Sequence, residues 1–452
     1  MTLPFTYSQI NSFPNPVGPF QCAQGSQVAI YATGFGGDVG RASGFNEQHA
    51  QAILTPSGGM TVATVKLQLI RVGAPGDSVQ IEIRQGSATG TIVGTSTGLL
   101  GSTIPTSSSV QTLTFTTPVV LAGSTTYFFI VRRSGSADSS NHYRITYGTG
   151  GNYTGGNLWA KVSGGGWTEN ASYDLNIAIS DGTPTYFMIA RDLSDALMLV
   201  VMKATDPSED WGMWPTAPQA GFVAQIINVS ACKSGDTIHL GILEGTTNSY
   251  NLKYHTYDMA FERWIINETV QSAFNPQPLS FLYGGPGVSI AFRTSDNQPV
   301  IYFSGAQVSN MGSAYARTYY RRRTAAATWA AAVLVDIGGL GDWVVPKVLR
   351  GANNVLHFFA PGTSPAASYH RSLSTANVLD TAVMLASGIS GVQQRSAVTA
   401  DGHVYVIASD LRNAAFTSGA NPTITQLQTA THGNPTQIYA IGNTFYSAYR
   451  DS

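Results

Sequence analysis

The second half of the chain repeats, and the repeat limits the folds open to it. Tight turns recur at Ser234-Gly235-Asp236, Ser295-Asp296-Asn297, Ala352-Asn353-Asn354, Ala400-Asp401-Gly402 and Gly442-Asn443. The apolar strands after them read TIHLGIL, PVIYFSG, VLHFFAP, HVYVIAS and TFYSAYR, and a His or Tyr recurs at the third or fourth place of each. Successive turns lie about 40 to 60 residues apart, and further strand candidates such as SYNLKYHTYD, AYARTYYRRR and AASYHRSL fill the intervals. Four strands per unit at this period is β-propeller arithmetic. The last unit stops after two strands, at Tyr449. Thr185–Arg191 and Ala196–Lys203 can complete it from the other end, which removes exposed sheet edges. Residues 182–452 therefore read as a propeller of about five blades, closed by strands from both ends of the domain.

The remainder is also β. Segments such as TVKLQLIR, SVQIEIR, TTYFFIVR and ASYDLNIAIS are bounded by GAPGD, GSATG and SGSADSSN. Only Asn46–Leu54 carries a short 3.6-residue period. Residues 26–181 hold about ten strand-like segments, which fits one jelly-roll β-sandwich. Residues 1–25 stand apart, with Pro4, Pro14, Pro16 and Pro19 among Phe5, Tyr7, Phe13 and Phe20. Proline blocks regular pairing and the aromatics need a surface. The segment is either a strap across its own domain or an extended arm that docks, through those four aromatics, on a neighbouring subunit. The fold class is all-β: arm, sandwich, propeller.

Composition removes several functions. Lys and Arg total 24, Asp and Glu 25, and the net charge of -1 gives no basic face for nucleic acid. No apolar run is long enough to span a membrane. The first twenty residues lack a basic start and an apolar stretch, so no secretory signal is expected. Cys22 and Cys232 form no metal or redox pair by spacing, and no cofactor or metal is called for.

Four groups can carry a ligand. Asp206, Glu209 and Asp210 stand beside Trp211 and Trp214. Carboxylates near indoles suit a sugar, and glycoside hydrolysis uses a carboxylate pair. Tyr153, Trp159 and Trp167 sit among Gly-rich loops, as sugar-binding aromatics or as core. Arg321 and Arg323 can grip an anion, form a subunit interface, or remain plain surface. His239, Tyr302, His357, Tyr405 and Tyr446 recur once per unit, as a ligand ring, as a metal site at His239 and His357 (a poor one without nearby carboxylates), or as packing between blades.

Two resemblances sharpen this reading. Leu121-Ala122-Gly123-Ser124-Thr125-Thr126-Tyr127, Trp167 and Asp174-Leu175 resemble the jelly-roll modules of phage and cell-surface proteins. The strand-turn-strand period, with Trp264 and Trp329 on outer strands, resembles sialidase-like propellers. The Ser-x-Asp-x-Gly-x-Thr-Trp box is missing, and the arginine triad, tyrosine nucleophile and aspartate acid of that family have no counterpart by motif. The whole arrangement resembles a tailed-phage virion protein. That resemblance implies a non-enzymatic tail or head appendage, assembled in the host cytoplasm, homo-oligomeric, docked to other virion proteins and binding a host surface polysaccharide. The alternatives are a sialidase-like glycoside hydrolase with a carbohydrate-binding module, and a ligand-free decoration or scaffold protein.

Overall fold

The structure is a computed structural model. It describes residues 17–449 apart from 24, 31–32, 43–45, 150–152, 193–194, 206–219, 247–248, 275–286, 306–316, 336–346, 352–353, 364–365, 382, 388–394, 399–403, 408–411, 417–422, 427–434 and 442–443, and beyond 382 it describes the backbone alone. The chain is all-β, as its alternating apolar pattern requires, with one 3-10 turn at Gly101–Thr103.

The first strand, β1 (Val17–Cys22), is followed by the sandwich strands. These are β2 (Val28–Ile30), β3 (Thr33–Val39), β4 (Asn46–Leu54), β5 (Met60–Val72), β6 (Ser78–Gln85), β7 (Ile92–Thr95), β8 (Leu99–Leu100) and β9 (Ser109–Leu121). They continue with β10 (Thr126–Arg133), β11 (His142–Thr149), β12 (Leu158–Val162), β13 (Trp167–Asn170), β14 (Asp174–Leu175) and β15 (Ile177–Ser180). One sheet runs β13-β12-β4-β10-β6-β7, and the other runs β14-β11-β5-β15-β2. Leu67, Leu69, Ile81, Ile83, Phe129, Val131, Leu158 and Ile177 fill the space between them. The helix-like window Asn46–Leu54 is strand β4. Its His49 and Gln51 point inward, fully buried, while Ala50 and Ala52 lie on the outer face. Polar-in, small-out is the reverse of the usual amphipathic strand. The inversion is satisfied because Gln51 donates to Asp174 Oδ1 (2.9 Å) and accepts from Leu175 N (2.8 Å) across the sandwich.

The propeller follows. Its first sheet adds β16 (Thr185–Arg191), β17 (Met198–Ala204) and β18 (Ala220–Gly221) to β1, in the order β1-β16-β17-β18. The second holds β19 (Ile226–Ser234), β20 (Thr237–Thr246), β21 (Ser249–Asp258) and β22 (Arg263–Phe274). The third holds β23 (Val288–Arg293), β24 (Gln298–Gly305), β25 (Arg317–Ala325), β26 (Thr328–Trp329) and β27 (Val333–Leu334). The fourth holds β28 (Lys347–Arg350), β29 (Leu356–Thr363), β30 (Ala366–Leu373) and β31 (Val383–Ser387). The fifth holds β32 (Arg395–Val398), β33 (Val404–Ile407), β34 (Arg412–Phe416) and β35 (Thr423–Gln426). A final pair is β36 (Pro435–Ile441) and β37 (Thr444–Tyr449).

The leading strand of each blade lies beside the leading strand of the next, from β19 to β23, β28, β32 and β36. Such edges expose unpaired N–H groups. Side chains of the preceding strand cap them: Val288 N donates to Asn228 Oδ1 (3.2 Å), Ile290 N to Ser230 Oγ (3.3 Å) and Val348 N to Ser289 Oγ (3.0 Å).

One pairing departs from the expected closure. Thr185–Arg191 and Ala196–Lys203 do form a sheet with a strand from a distant part of the chain, but that strand is β1. Phe20 pairs with Phe187 and Cys22 with Thr185. Gly18 at the bulge has φ +130°, and a Cβ there would lie 2.9 Å from Phe187 O, so glycine is required. The ladder then runs on into the sandwich: Gly25 N donates to Thr183 O (3.0 Å), Gln27 N donates to Ile179 O (2.8 Å), and β2 pairs with β15. The sandwich is thus inserted between the first two strands of a blade, and the expected boundary at residue 25 falls inside a continuous ribbon.

Candidate functional site

The sandwich sheet β13-β12-β4-β10-β6-β7 has a second apolar cluster on its outer face. Ala50, Ala52, Ala88, Phe128 and Ile130 are buried there, with Trp159 and Trp167 packed against them half-buried. Strand register explains the grouping. Trp159 pairs with Ala50 and with Glu169, Lys161 pairs with Trp167, and paired residues point to the same side. The alanines leave room for the Trp159 ring, which meets Phe128 edge-on at 5.7 Å and 75°. Polar groups frame the indoles. Asn157 Nδ2 donates to Glu169 Oε1 (2.7 Å), and Lys161 Nζ lies 3.6 Å from Glu47 Oε2. Glu82, buried beside Ile130, accepts from Arg84 Nε (2.5 Å) and Arg132 Nη1 (3.1 Å). An aromatic surface with hydrogen-bonding groups at its rim can stack on the C–H face of a sugar ring and bind its hydroxyls.

The sequence picked out Trp159 and Tyr153 but not Asn157, Glu169 or Lys161. The signal that finds them is the strand register, which sets Asn157 and Lys161 before and along β12, and Glu169 on β13, on the same side as Trp159. Tyr153 is spent nearby in the scaffold: Leu54 N donates to its hydroxyl (2.8 Å).

The other candidates are placed differently. Arg323 binds Glu268 through two nitrogens (3.0 and 2.5 Å) and lies over the Tyr254 ring. Trp329 Nε1 and Ala327 N donate to the same carboxylate. Burial alone would raise the Glu268 pKa, but these donors outweigh it and hold the carboxyl below its usual range. Arg321 donates to Ala330 O (2.8 Å) and to Val270 O. Both arginines therefore tie the second blade to the third and are not available as an anion grip. The repeated aromatics fall on the second strand of each sheet rather than on the leading one, and of the five only His239, Tyr302 and His357 have described side chains. His239 stacks on Phe292 of the next blade (4.2 Å), and Tyr302 meets Phe358 of the next (4.9 Å). Burial lowers the His239 and His357 pKa values to about 4. His239 and Tyr302 thus pack between blades, while His357 stacks on His370 and Phe359 of its own blade. Phe20 packs against Phe187 and Ile189 inside its own chain. Phe5, Tyr7, Phe13, Asp206, Glu209, Asp210, Trp211 and Trp214 lie outside the described residues.

The other sheet of the sandwich meets the propeller. Lys66 Nζ reaches Asp236 Oδ2 (2.6 Å), Lys203 Nζ donates to Ser26 O (3.0 Å) and Glu262 Oε1 (2.5 Å), and Ala178 packs on Ala260 and Phe261. Burial raises the Asp258 and Glu262 pKa values, against the pull of Arg263 and Lys203. Asp258 is nonetheless committed to its turn, accepting from Ala260 N (3.0 Å) and Phe261 N (3.2 Å).

No protein-family profile matches the chain, and no curated protein matches it in sequence. Among solved structures it resembles an α-L-arabinofuranosidase of Fusarium graminearum in complex with an iminosugar inhibitor. That pair shares 10% identity with a TM-score of 0.41, over 56% of this chain and 80% of the other. It also resembles an α-L-arabinanase of Penicillium chrysogenum complexed with arabinobiose (11% identity, TM-score 0.38, 55% and 80% covered). A third is an endo-arabinase of Bacteroides thetaiotaomicron (12% identity, TM-score 0.33, 54% and 89% covered). At these values the likeness is one of fold and transfers no residue role. The expectation of a non-enzymatic phage-particle component is corrected here: these neighbours are glycoside hydrolases, not virion proteins, and they fall beside the hydrolase alternative.

Proposed function

We propose that the chain acts on carbohydrate, as a glycoside hydrolase whose sandwich holds the glycan while the propeller carries the chemistry. The observation that supports this most directly is the half-buried Trp159 and Trp167 pair on an alanine floor, framed by Asn157, Lys161 and Glu169. A second fact bears on the hydrolytic half. Ala204 pairs with Tyr186 at the end of the blade where Cys22 and Thr185 lead into the sandwich. That end of the blade stands at the junction of the two domains, a common location for ligand sites.

The test is a panel of polysaccharides, arabinan included, in which retention of the full chain and release of sugar are measured together. Release that disappears in an Asp206, Glu209 and Asp210 triple amide variant supports the reading. Retention without release overturns hydrolysis and leaves binding. Neither retention nor release overturns both.

A further inference from the structure

We propose that the ligand of the Trp159–Trp167 face is an uncharged polysaccharide, recognised through its hydroxyls by Asn157, Lys161 and Glu169; this rests on the carbohydrate reading above. Three features carry it. The first is charge balance. The described residues of this face present the carboxylates of Glu47, Glu82 and Glu169 against the cations of Lys161, Arg84 and Arg132, three of each. Arg84 and Arg132 are engaged by Glu82, and Lys161 faces Glu47. Two arginines share Glu82 and the exposed Glu169 offsets the second of them, so the described residues of this face carry no net positive charge to draw in a uronate or sulfate.

The second is the position of Glu169. Its strand register sets it directly opposite Trp159, and it is exposed. An acidic polymer laid on that indole would bring its own carboxylates against this one, and a like-charge contact is repulsive. A neutral hydroxyl instead donates to it. The neighbouring Asn157 amide already donates to the carboxylate, which fixes its orientation and lowers the entropy lost on binding.

The third is the shape of the platform. Trp159 and Trp167 are diagonal neighbours across β12 and β13, about 7–8 Å apart at the backbone. Two adjacent indoles suit consecutive rings of a chain better than one free monosaccharide. Gly164, Gly165 and Gly166 precede Trp167, and a Cβ at Gly164 or Gly166 would meet nothing within 4 Å, so the approach to that indole is open.

The experiment is affinity electrophoresis of the full-length protein in gels carrying either a neutral polymer (arabinan, galactomannan or β-glucan) or an acidic one (polygalacturonate or hyaluronan). The expected result is retardation by at least one neutral polymer, at least tenfold stronger than by any acidic one, and unchanged between low and high salt. Trp167→Ala should reduce it tenfold or more, and Trp167→Phe by less, with thermal melting confirming that both variants fold. Glu169→Gln should raise the weak affinity for acidic polymer. Preference for the acidic polymers, or salt-sensitive retardation, overturns this inference and leaves the carbohydrate reading standing. Retardation that Trp167→Ala does not change moves the site elsewhere and also overturns the inference. No retardation by any polymer removes the binding half of the reading itself.

Discussion

At the residue scale, the chain buries much of its histidine and uses it as packing. Burial holds His49, His239, His255, His357 and His370 at about 4. The unfolded chain titrates near 6.5, so between those values it binds more protons than the folded one. Stability is then complete above pH 6.5 and is lost as pH falls toward 4. For His49 alone the shift corresponds to about 3 kcal/mol. Thermal melts between pH 7.5 and 4.5 should show a flat upper region and a steep fall below 6.5, and His49→Gln should make that fall shallower. Arg323 is a second case. Lysine at that position keeps the charge but loses the two-point contact with Glu268, for a cost of about 1–3 kcal/mol in urea unfolding. An unchanged midpoint would show that the blade contact contributes little. The paired arginines in the sequence do not reveal this, because Glu268 lies on another blade and no local pattern joins the two.

The element scale shows how much of the fold was legible. Every repeated turn-strand unit appears as a sheet, because alternation, turn residues and period are local properties written in consecutive residues. The β1 pairing was not legible. Val17–Cys22 reads VGPFQC, interrupted by glycine and proline, and its partner lies some 160 residues away in a register that only the finished fold defines. The sugar-binding candidates divide in the same way. Trp159 was visible as an aromatic, while the Asn157 and Glu169 pair depends on cross-strand register. Removing residues 1–23 should leave the β16 edge open and the Phe187, Ile189 and Val201 core exposed. We expect this truncation to aggregate or to melt at least 10 °C lower. Soluble protein with unchanged melting would refute the structural role of β1.

At the scale of the whole molecule, the sandwich is a guest in a propeller hairpin. Cys22 and Thr185 are paired neighbours, so an Asn-Gly turn can join them directly in place of everything between. This shortened chain should fold to a soluble propeller, whereas residues 182–452 alone should not. Circular dichroism and differential scanning calorimetry of the two proteins separate these outcomes. In the complete protein the Lys66–Asp236 bridge and the hydrogen bond from Lys203 Nζ to Ser26 O tie one sheet of the sandwich to the propeller. The Trp159 face belongs to the opposite sheet, so under the proposed function polymer captured there would stay at high local concentration near the propeller.

The inserted ribbon also sets an order of events during synthesis. β1 leaves the ribosome well before β16, and at roughly 5–20 residues per second the interval is about 10–30 s. The sandwich is completed within that interval, and its pairing of β2 with β15 brings the ends of the guest domain together. Pairing of β2 with β15 therefore brings β1 beside the start of β16, so closure of the guest domain also sets the first two strands of the blade side by side.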